Sequence, residues 1–200
     1  MAVPTPARVL RFTRSERAFH WVAGAAFFSV LVSGLPMGKA GSFHNVMYAW
    51  HLSSAAVLVF GLAATVSLGD RRMLALTRRE LSTFDASDRK WLARAPATVL
   101  NHMPVLPAGR FNAGQKLNFI LVTLLFAALF VSGIGLLVIG SHPTSPAAKA
   151  AHVVTAYTTA LLVAGHLYMA LINPSTRPAL RGMISGRVDA DWVREHHTRS

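Results

Sequence analysis

Four of the nine histidines lie inside long apolar stretches, where an ionisable side chain is costly and usually functional. They are His20, His51, His152 and His166. On an α-helix, His152 and His166 share a face to within about 40° and are about 21 Å apart along the axis. A helix with two imidazoles on one face at two depths is suited to ligate two metal centres, if other helices supply a partner imidazole at each depth.

The histidines fall within four windows that lack Asp, Glu, Lys and Arg and exceed the ~20 residues needed to cross a bilayer. These windows predict helices at about residues 18–38, 45–68, 117–139 and 150–172. Hydrophobic residues make up 52% of the chain and charged residues 14%, against roughly 25% charged in soluble domains. The first window is too long for the apolar core of a signal peptide, so we expect a retained helix. We therefore predict an all-α integral membrane protein in which residues 1–200 form one domain, a four-transmembrane-helix bundle with no internal repeat.

Basic residues are distributed unevenly around these windows. Of the 20 Lys and Arg, only Lys39 and Lys149 fall in the two short loops on one side, around Gly41 and Ser141. The positive-inside rule then places both termini, the segment at residues 70–116 and the tail at residues 174–200 in the cytoplasm. This topology predicts a multi-pass protein of a bacterial inner membrane. It also explains the net charge of +12, so nucleic acid is not an expected partner.

Topology pairs the four histidines by depth, His20 with His166 near the cytoplasm and His51 with His152 near the periplasm. Cysteine is absent, which excludes covalent haem attachment, iron–sulfur clusters and thiolate zinc sites on this chain. The residues one turn after each histidine are small, as a flat macrocycle against the helix requires, although small residues also favour close helix packing. They are Gly24, Ala55, Ala156 and Ala170. This pattern predicts two bis-histidine b haems, whose filled axial positions leave electron transfer as the chemistry.

The other histidines are predicted to be surface residues of loops or the tail. They are His44, His102, His142, His196 and His197. His44 precedes His51 by seven residues and could share its helix face, so it stays an alternative ligand to His51.

Three motifs resemble the cytochrome b (gamma) subunit of membrane-bound respiratory formate dehydrogenases. The opening carries Arg11-Phe12-Thr13, Glu16-Arg17 and Phe19-His20-Trp21, and the segment before the third helix reads Phe111-Asn112-Ala113-Gly114-Gln115-Lys116. The tail carries Val188-Asp189, Trp192 and Arg194-Glu195-His196-His197. The run His51-Leu52-Ser53-Ser54-Ala55 departs from the aromatic and glycine-containing stretch that is common in this family.

The resemblance implies four helices, two b haems and a quinone site beside the cytoplasmic haem. Its haem ligands correspond to His20, His51, His152 and His166. Its quinone contacts correspond to Asn112 and Gly114, with Gln115 and His166 adjacent. The start of a helix and an Asn side chain can hydrogen-bond a quinone carbonyl. Alternatively, Asn112 only caps the helix and Gly114 only permits a turn.

The function predicted from these features is electron transfer in anaerobic respiration. A periplasmic iron–sulfur beta subunit, fed by a catalytic alpha subunit, is expected to pass electrons through the two haems to menaquinone or ubiquinone. The chain itself is not expected to oxidise formate and has no predicted catalytic residue. Alternatives are the cytochrome b subunit of a nickel–iron hydrogenase or another respiratory oxidoreductase such as thiosulfate reductase. A more distant alternative is a haem-free transporter or four-helix scaffold, although the windows contain no carboxylate and no broken helix.

Overall fold

The computed structural model describes residues 7–38, 42–101, 108–139 and 145–197. These residues are mostly helical, and a short strand pair accompanies the helices. The elements in chain order are β1 (Arg8–Leu10), α1 (Arg14–Gly34), α2 (Ser42–Leu68), α3 (Arg71–Ser82), α4 (Ala86–Asn101), α5 (Ala113–Ile139), α6 (Ser145–Leu167), α7 (Ala179–Ser185), β2 (Arg187–Asp189) and α8 (Ala190–His196). A 3-10 turn at Leu35–Gly38 continues α1, and a π-helical turn at Tyr168–Ile172 continues α6.

Within the described ranges, four helices are long and apolar enough to cross a membrane, which confirms the predicted number of membrane helices in a mostly helical chain. They span Arg14–Met37, Phe43–Leu68, Ala113–Val138 and Pro146–Ile172. Each helix begins three to five residues before its predicted start, and for α1, α5 and α6 these extra residues include a Lys or Arg. Long basic side chains can lie on the first turns of a membrane helix and extend towards the headgroups. A window defined by the absence of charge therefore begins too late.

Large apolar side chains point outward from these helices. Phe60 is 73% exposed, Leu161 is 76% exposed and Val138 is 81% exposed. In water, apolar surface of this extent would be unfavourable, whereas in a bilayer it contacts acyl chains. The exposed apolar side chains of α2, α5 and α6 therefore suit the interior of a membrane.

The chain is divided into two compact units. The α1–α2 unit comprises Arg8–Thr77 and Ala179–Val188. The α5–α6 unit comprises Arg78–Pro178 and Asp189–Ser200 with Met1–Ala7. Each unit contains one pair of long apolar helices, α1 with α2 and α5 with α6.

Small residues and hydroxyls join α1 to α2. The hydroxyls of Ser29 and Ser54 are 2.7 Å apart, and the Trp50 indole N–H donates to Ser29 Oγ at 2.9 Å. A Cβ on Gly61 would lie only 2.9 Å from Val22 Cγ1, so the two helices approach closely at this point. Close approach over small residues and interhelical hydrogen bonds are the usual means of packing helices in lipid.

A small core outside the long helices completes the α1–α2 unit. Phe12 is 7% exposed and Val188 is 2% exposed, and both contact the position that a Cβ on Gly182 would take. Gly186 has a φ of 82°, and a Cβ on it would lie 2.8 Å from the Phe12 carbonyl oxygen. A glycine is therefore required where α7 turns into β2.

Glu16 ties the start of α1 to α3. Its Oε2 accepts hydrogen bonds from the Thr13 N–H at 2.7 Å and the Thr13 hydroxyl at 2.9 Å, while the Thr13 hydroxyl caps the Glu16 N–H. Its Oε1 accepts from the Thr77 hydroxyl at 2.5 Å. Glu16 is only 5% exposed, so this capping box is also a buried tertiary contact.

We expect Glu16→Ala to destabilise the protein by about 2–3 kcal/mol, because it leaves the donors of Thr13 and Thr77 without their charged acceptor. Thr77→Val spares the capping box and should lower the unfolding free energy by only about 1 kcal/mol. Thermal unfolding in detergent, followed by helical circular dichroism, measures both. An unchanged midpoint for Glu16→Ala would contradict the assignment.

Candidate functional site

His51 lies on α2 with its ring held by α1. Its Nδ1 is 2.9 Å from the Val30 carbonyl oxygen. A carbonyl oxygen can only accept, so Nδ1 carries the proton and Nε2 carries the lone pair that a metal ion needs. The Ser33 hydroxyl lies farther from the same Nδ1, at 3.4 Å, and donates its own proton to the Ser29 carbonyl at 2.7 Å.

His152 lies on α6 and is held in the same way by α5. Its Nδ1 is 2.8 Å from Ser132 Oγ. That hydroxyl is 2.7 Å from the Ala128 carbonyl oxygen, which takes its single proton. With its proton on Ala128, Ser132 Oγ can accept from the His152 Nδ1–H, and this is the tautomer that leaves the lone pair on Nε2.

A glycine follows each of the two serines and lies beside the imidazole. A Cβ on Gly34 would lie 3.2 Å from His51 Cε1, and a Cβ on Gly133 would lie 3.5 Å from His152 Cε1. We name the pairs Ser33-Gly34 and Ser132-Gly133 the two Ser-Gly cradles. The prediction that the chain has no internal repeat missed this local one. The tripeptide Val-Ser-Gly, which occurs at 32–34 and at 131–133, is the signal that would have found it.

His20 lies in the second turn of α1 and is half-buried. Its ring meets the Trp21 ring edge-on, with centroids 5.3 Å apart, and the Trp21 indole N–H donates to the Met183 carbonyl at 3.0 Å. Among the described residues, no heavy atom lies within 4 Å of the position that a Cβ on Gly24 would take. The helix surface one turn after His20 is therefore open enough for a flat group.

His166 is an exposed residue in the last turn of α6. The π-helical turn follows at once, and in it the Asn173 N–H donates to the Tyr168 carbonyl at 3.0 Å. Such π-helical turns are often found at functional sites. His20 and His51 belong to the α1–α2 unit and His152 and His166 to the α5–α6 unit, so their pairing by depth stays a prediction.

His44, the alternative to His51, lies in the first turn of α2, so its predicted loop position is wrong. Its Nδ1 is 2.9 Å from the Met37 carbonyl oxygen. Its ring stacks on Tyr48, with centroids 6.2 Å apart and planes 12° apart. The space one turn after His44 thus holds an aromatic ring, where the other candidates have a small residue.

Asn112 and Gln115 cap α5 reciprocally. The Gln115 N–H donates to Asn112 Oδ1 at 2.8 Å, and the Asn112 N–H donates to Gln115 Oε1 at 2.9 Å. The capping geometry that was the alternative for Asn112 is therefore present. Because Oδ1 takes the cap, the orientation of the amide is fixed and the Asn112 Nδ2 group is the donor that the cap does not use.

The neighbouring residues of this motif have packing roles. A Cβ on Gly114 would lie 3.0 Å from Trp91 Cη2 and 3.3 Å from Asn112 Oδ1. Lys116 Nζ pairs with Asp88 Oδ2 at 2.6 Å, and both side chains are largely buried. The motif thus fastens α4 to the start of α5.

Asp85 caps the start of α4, the helix that contains Asp88 and Trp91. Its Oδ1 accepts from the Ser87 hydroxyl at 2.5 Å, the Ser87 N–H at 2.7 Å and the Asp88 N–H at 3.0 Å. The Ser87 hydroxyl, followed by the Asp88 N–H, lowers the pKa of Asp85 to about 2. The cap therefore remains charged down to strongly acidic pH.

His197 is buried, with 5% of its surface exposed, so the prediction of a surface residue is wrong. Its Nδ1 is 2.6 Å from the Gly109 carbonyl oxygen, and the Trp192 ring meets it edge-on at 5.2 Å. His197 therefore lies against the segment that leads to Asn112. His102 and His142, and the loops around Gly41 and Ser141, lie outside the described residues, and no side-chain geometry is described for His196.

We expect Gly114→Ala to destabilise the protein by about 1–2 kcal/mol, because the new methyl group overlaps the Trp91 ring and the cap oxygen. At an open helical site the same change stabilises by roughly 0.5–1 kcal/mol. Gly135→Ala on α5 is the matched control, since no described heavy atom lies within 4 Å of its Cβ position. Thermal unfolding of both variants measures the two stability changes. Equal changes in the unfolding midpoint would contradict the Trp91 contact.

Comparisons with known proteins agree with this arrangement. The family described as prokaryotic cytochrome b561 matches residues 11–186. The cytochrome b556(fdo) subunit of formate dehydrogenase from Escherichia coli (strain K12) is 25% identical over 199 residues, which cover 96% of this chain and 90% of the relative. The nitrate-inducible cytochrome b556(Fdn) subunit of the same strain is 25% identical over 206 residues, covering 96% and 89%. The formate dehydrogenase cytochrome b556 subunit of Haemophilus influenzae is 24% identical over 204 residues, covering 96% and 82%.

These relatives confirm the resemblance that the three sequence motifs indicated. The four apolar helices and the family together make the chain a multi-pass protein of the bacterial inner membrane. A b-type haem and membrane electron transport follow from the family. The chain belongs to the prokaryotic cytochrome b561 family.

Proposed function

We propose that this chain is the membrane cytochrome b subunit of a formate dehydrogenase complex and passes electrons across the bilayer to a quinone. The observation that carries the proposal is the pair of Ser-Gly cradles, each of which holds a membrane histidine as a metal-ligating tautomer. The match to formate dehydrogenase cytochrome b556 subunits over 96% of the chain supports the choice of complex. Family membership argues against the haem-free transporter and scaffold.

The residues present fit two b haems. Metal-ligating histidines almost always donate their other ring N–H to a nearby acceptor, as His51 and His152 do here. We assign these two residues to the periplasmic haem and His20 with His166 to the cytoplasmic haem. The stacked Tyr48 ring beside His44 supports His51 over His44 as the ligand. A b haem held by these imidazoles would supply one-electron transfer.

The start of α5 is the proposed quinone site. The cap uses Asn112 Oδ1 and not Nδ2, so the Nδ2 group is a donor for a quinone carbonyl. Asn112, Gly114 and Gln115 are all half-buried. Gly114 lies against the Trp91 ring, and these two residues form part of the surface beside that donor. Menaquinone and ubiquinone both present the carbonyl that this site requires.

The partners follow from the topology proposed for the chain. With both termini and the basic segment at residues 70–116 in the cytoplasm, the two short loops face the periplasm. An iron–sulfur beta subunit and a catalytic alpha subunit are the proposed periplasmic partners. Formate is oxidised in the alpha subunit, and this chain contributes the quinone-reducing end of the complex.

We expect the purified chain to show two low-spin b haems per polypeptide in a reduced-minus-oxidised visible spectrum. His20→Ala and His166→Ala should each remove one and the same haem, since one missing ligand opens its axial site. His51→Ala and His152→Ala should each remove the other haem, and retention of the first haem shows that the fold survives. His44→Ala is the control and should keep both. A haem-free wild-type chain, or loss of haem in His44→Ala but not in His51→Ala, would contradict the assignment.

The quinone role of Asn112 can be separated from its capping role. Asn112→Asp keeps a good N-cap acceptor but replaces the Nδ2 donor, so it should slow oxidation of the reduced haems by added quinone about tenfold or more. Stopped-flow absorbance of the haem band measures that rate. Haem content and the thermal midpoint of Asn112→Asp should match wild type, whereas Asn112→Ala should lower both the rate and the midpoint. A wild-type rate in Asn112→Asp would contradict the quinone role and leave helix capping as the role of Asn112.

A further inference from the structure

The short helix α8 and its C-cap residue His197 contact both ends of the α5–α6 pair that carry proposed site residues. Asp189 Oδ1 caps α8, accepting from the Asp191 N–H at 2.8 Å and from the Trp192 N–H at 3.4 Å. A side-chain cap of this kind stabilises the start of a helix by satisfying N–H groups that have no partner within it. Two side chains of the capped segment, Trp192 and His197, then bond to neighbouring backbone carbonyls.

The first of these contacts is with the segment before α5. The buried His197 donates from Nδ1 to the Gly109 carbonyl oxygen at 2.6 Å. Gly109 precedes Asn112 by three residues, and Phe111 between them is also buried. The hydrogen bond from His197 therefore holds the backbone that leads directly to the Asn112 amide.

The second contact is with the turn that follows α6. The Trp192 indole N–H donates to the Ser175 carbonyl oxygen at 3.2 Å. The Ser175 N–H and hydroxyl donate to Asn173 Oδ1 at 3.0 and 2.7 Å. The Asn173 N–H in turn donates to the Tyr168 carbonyl at 3.0 Å and closes the π-helical turn next to His166. A continuous series of hydrogen bonds thus connects α8 to the end of α6.

The two contacts meet within α8 itself. The Trp192 ring meets the His197 ring edge-on, with centroids 5.2 Å apart. Edge-to-face ring contacts of this kind are favourable, so each ring supports the position of the other. α8 therefore links the Gly109 carbonyl to the Ser175 carbonyl through two adjacent side chains, and all of these residues belong to the α5–α6 unit.

We infer that α8 is a clamp that sets the position of Asn112 relative to His166, with Trp192 and His197 as its positioning residues. The inference rests on the proposed function, because it requires a quinone at Asn112 to take electrons from the haem assigned to His166. A ligand that binds between two loosely held segments loses affinity, since binding must first order them. The clamp orders the two segments beforehand and so raises the affinity for quinone without contacting it.

The kinetic test follows oxidation of the reduced haems in the purified, haem-loaded chain by stopped-flow absorbance. The probe is menadione or decylubiquinone, whichever oxidises the wild-type haems faster, over a range of concentrations. His197→Ala should raise the half-saturating quinone concentration about tenfold and lower the rate at saturation less than about threefold, because Asn112 keeps its own cap.

Two further variants test the chemistry of this contact. His197→Asn is the conservative variant, because an Asn amide can place a donor near the position of Nδ1, and it should recover most of the lost affinity. Arg194→Ala is the matched control, since Arg194 lies on the same helix with a largely exposed side chain that pairs with Asp191. It should leave the half-saturating concentration at the wild-type value.

A double variant tests whether the two contacts act as one clamp. Trp192→Phe keeps a ring beside His197 but removes the indole N–H that bonds to Ser175, and it should raise the half-saturating concentration about threefold. If one clamp is lost in either case, Trp192→Phe combined with His197→Ala should resemble His197→Ala alone. Multiplication of the two effects would indicate independent local contacts and would overturn the clamp.

A distance measurement tests the clamp without quinone or turnover. The chain contains no cysteine, so Arg89→Cys on α4 and Arg177→Cys after α6 can carry a pair of spin labels. Both positions are exposed, and α4 is fastened to the start of α5 by the buried ion pair described above. Double electron–electron resonance should show a broader distribution of label distances in His197→Ala than in Arg194→Ala. The same distribution in both would overturn the inference.

The outcomes separate the inference from the proposed function. A wild-type chain without haem, or with reduced haems that neither quinone oxidises, would overturn the proposed function and the inference with it. Equal half-saturating concentrations in wild type, His197→Ala and Trp192→Phe would overturn the inference alone. A lower thermal midpoint in His197→Ala with wild-type quinone affinity would show that the contacts only stabilise the fold, which also overturns the inference.

Discussion

An imidazole N–H inside a bilayer must meet an acceptor, because no water is present there to solvate it. In both units the acceptor is supplied by the neighbouring long helix, at the Val30 carbonyl for His51 and at the Ser132 hydroxyl for His152. The same hydrogen bond therefore fixes the rotation of the ring, the choice of tautomer and the register of one helix against the other. Gly34 allows the approach, since a Cβ there would lie only 3.2 Å from His51 Cε1, whereas a Cβ on Gly133 would make an ordinary contact of 3.5 Å with His152 Cε1.

The start of α5 obeys a different constraint, because it lies near water and must hold several polar groups together. Asn112 and Gln115 satisfy each other's backbone N–H groups, and Lys116 neutralises the buried Asp88. Each of these partners lies either within residues 111–116 or in α4. Structural use of the motif and quinone binding are compatible, because the cap engages one end of the Asn112 amide and the proposed ligand contact uses the other.

The four long helices could be predicted because they depend on local composition and on the length needed to cross a bilayer, whereas the depth of each histidine stays a prediction. The starts of α1 and α5 could not, since Arg14 and Lys116 belong to the first turns of these helices and a window without charge excludes them. The burial of His197 depends on the Gly109 carbonyl, 88 residues away, which no local pattern reveals. The Ser-Gly cradles were missed because a serine in an apolar helix leaves the hydropathy profile almost unchanged, although the repeated Val-Ser-Gly tripeptide was visible.

The cradles also bear on how such a chain enters the membrane. A histidine whose N–H is already satisfied within its own helical hairpin can be released into lipid as part of that hairpin, with a smaller desolvation penalty than a bare imidazole. The α1–α2 hairpin contains both partners for His51, and the α5–α6 hairpin contains both for His152. The geometry therefore permits insertion of the polypeptide to precede delivery of the prosthetic group, because each ring contacts a group of its own helix pair.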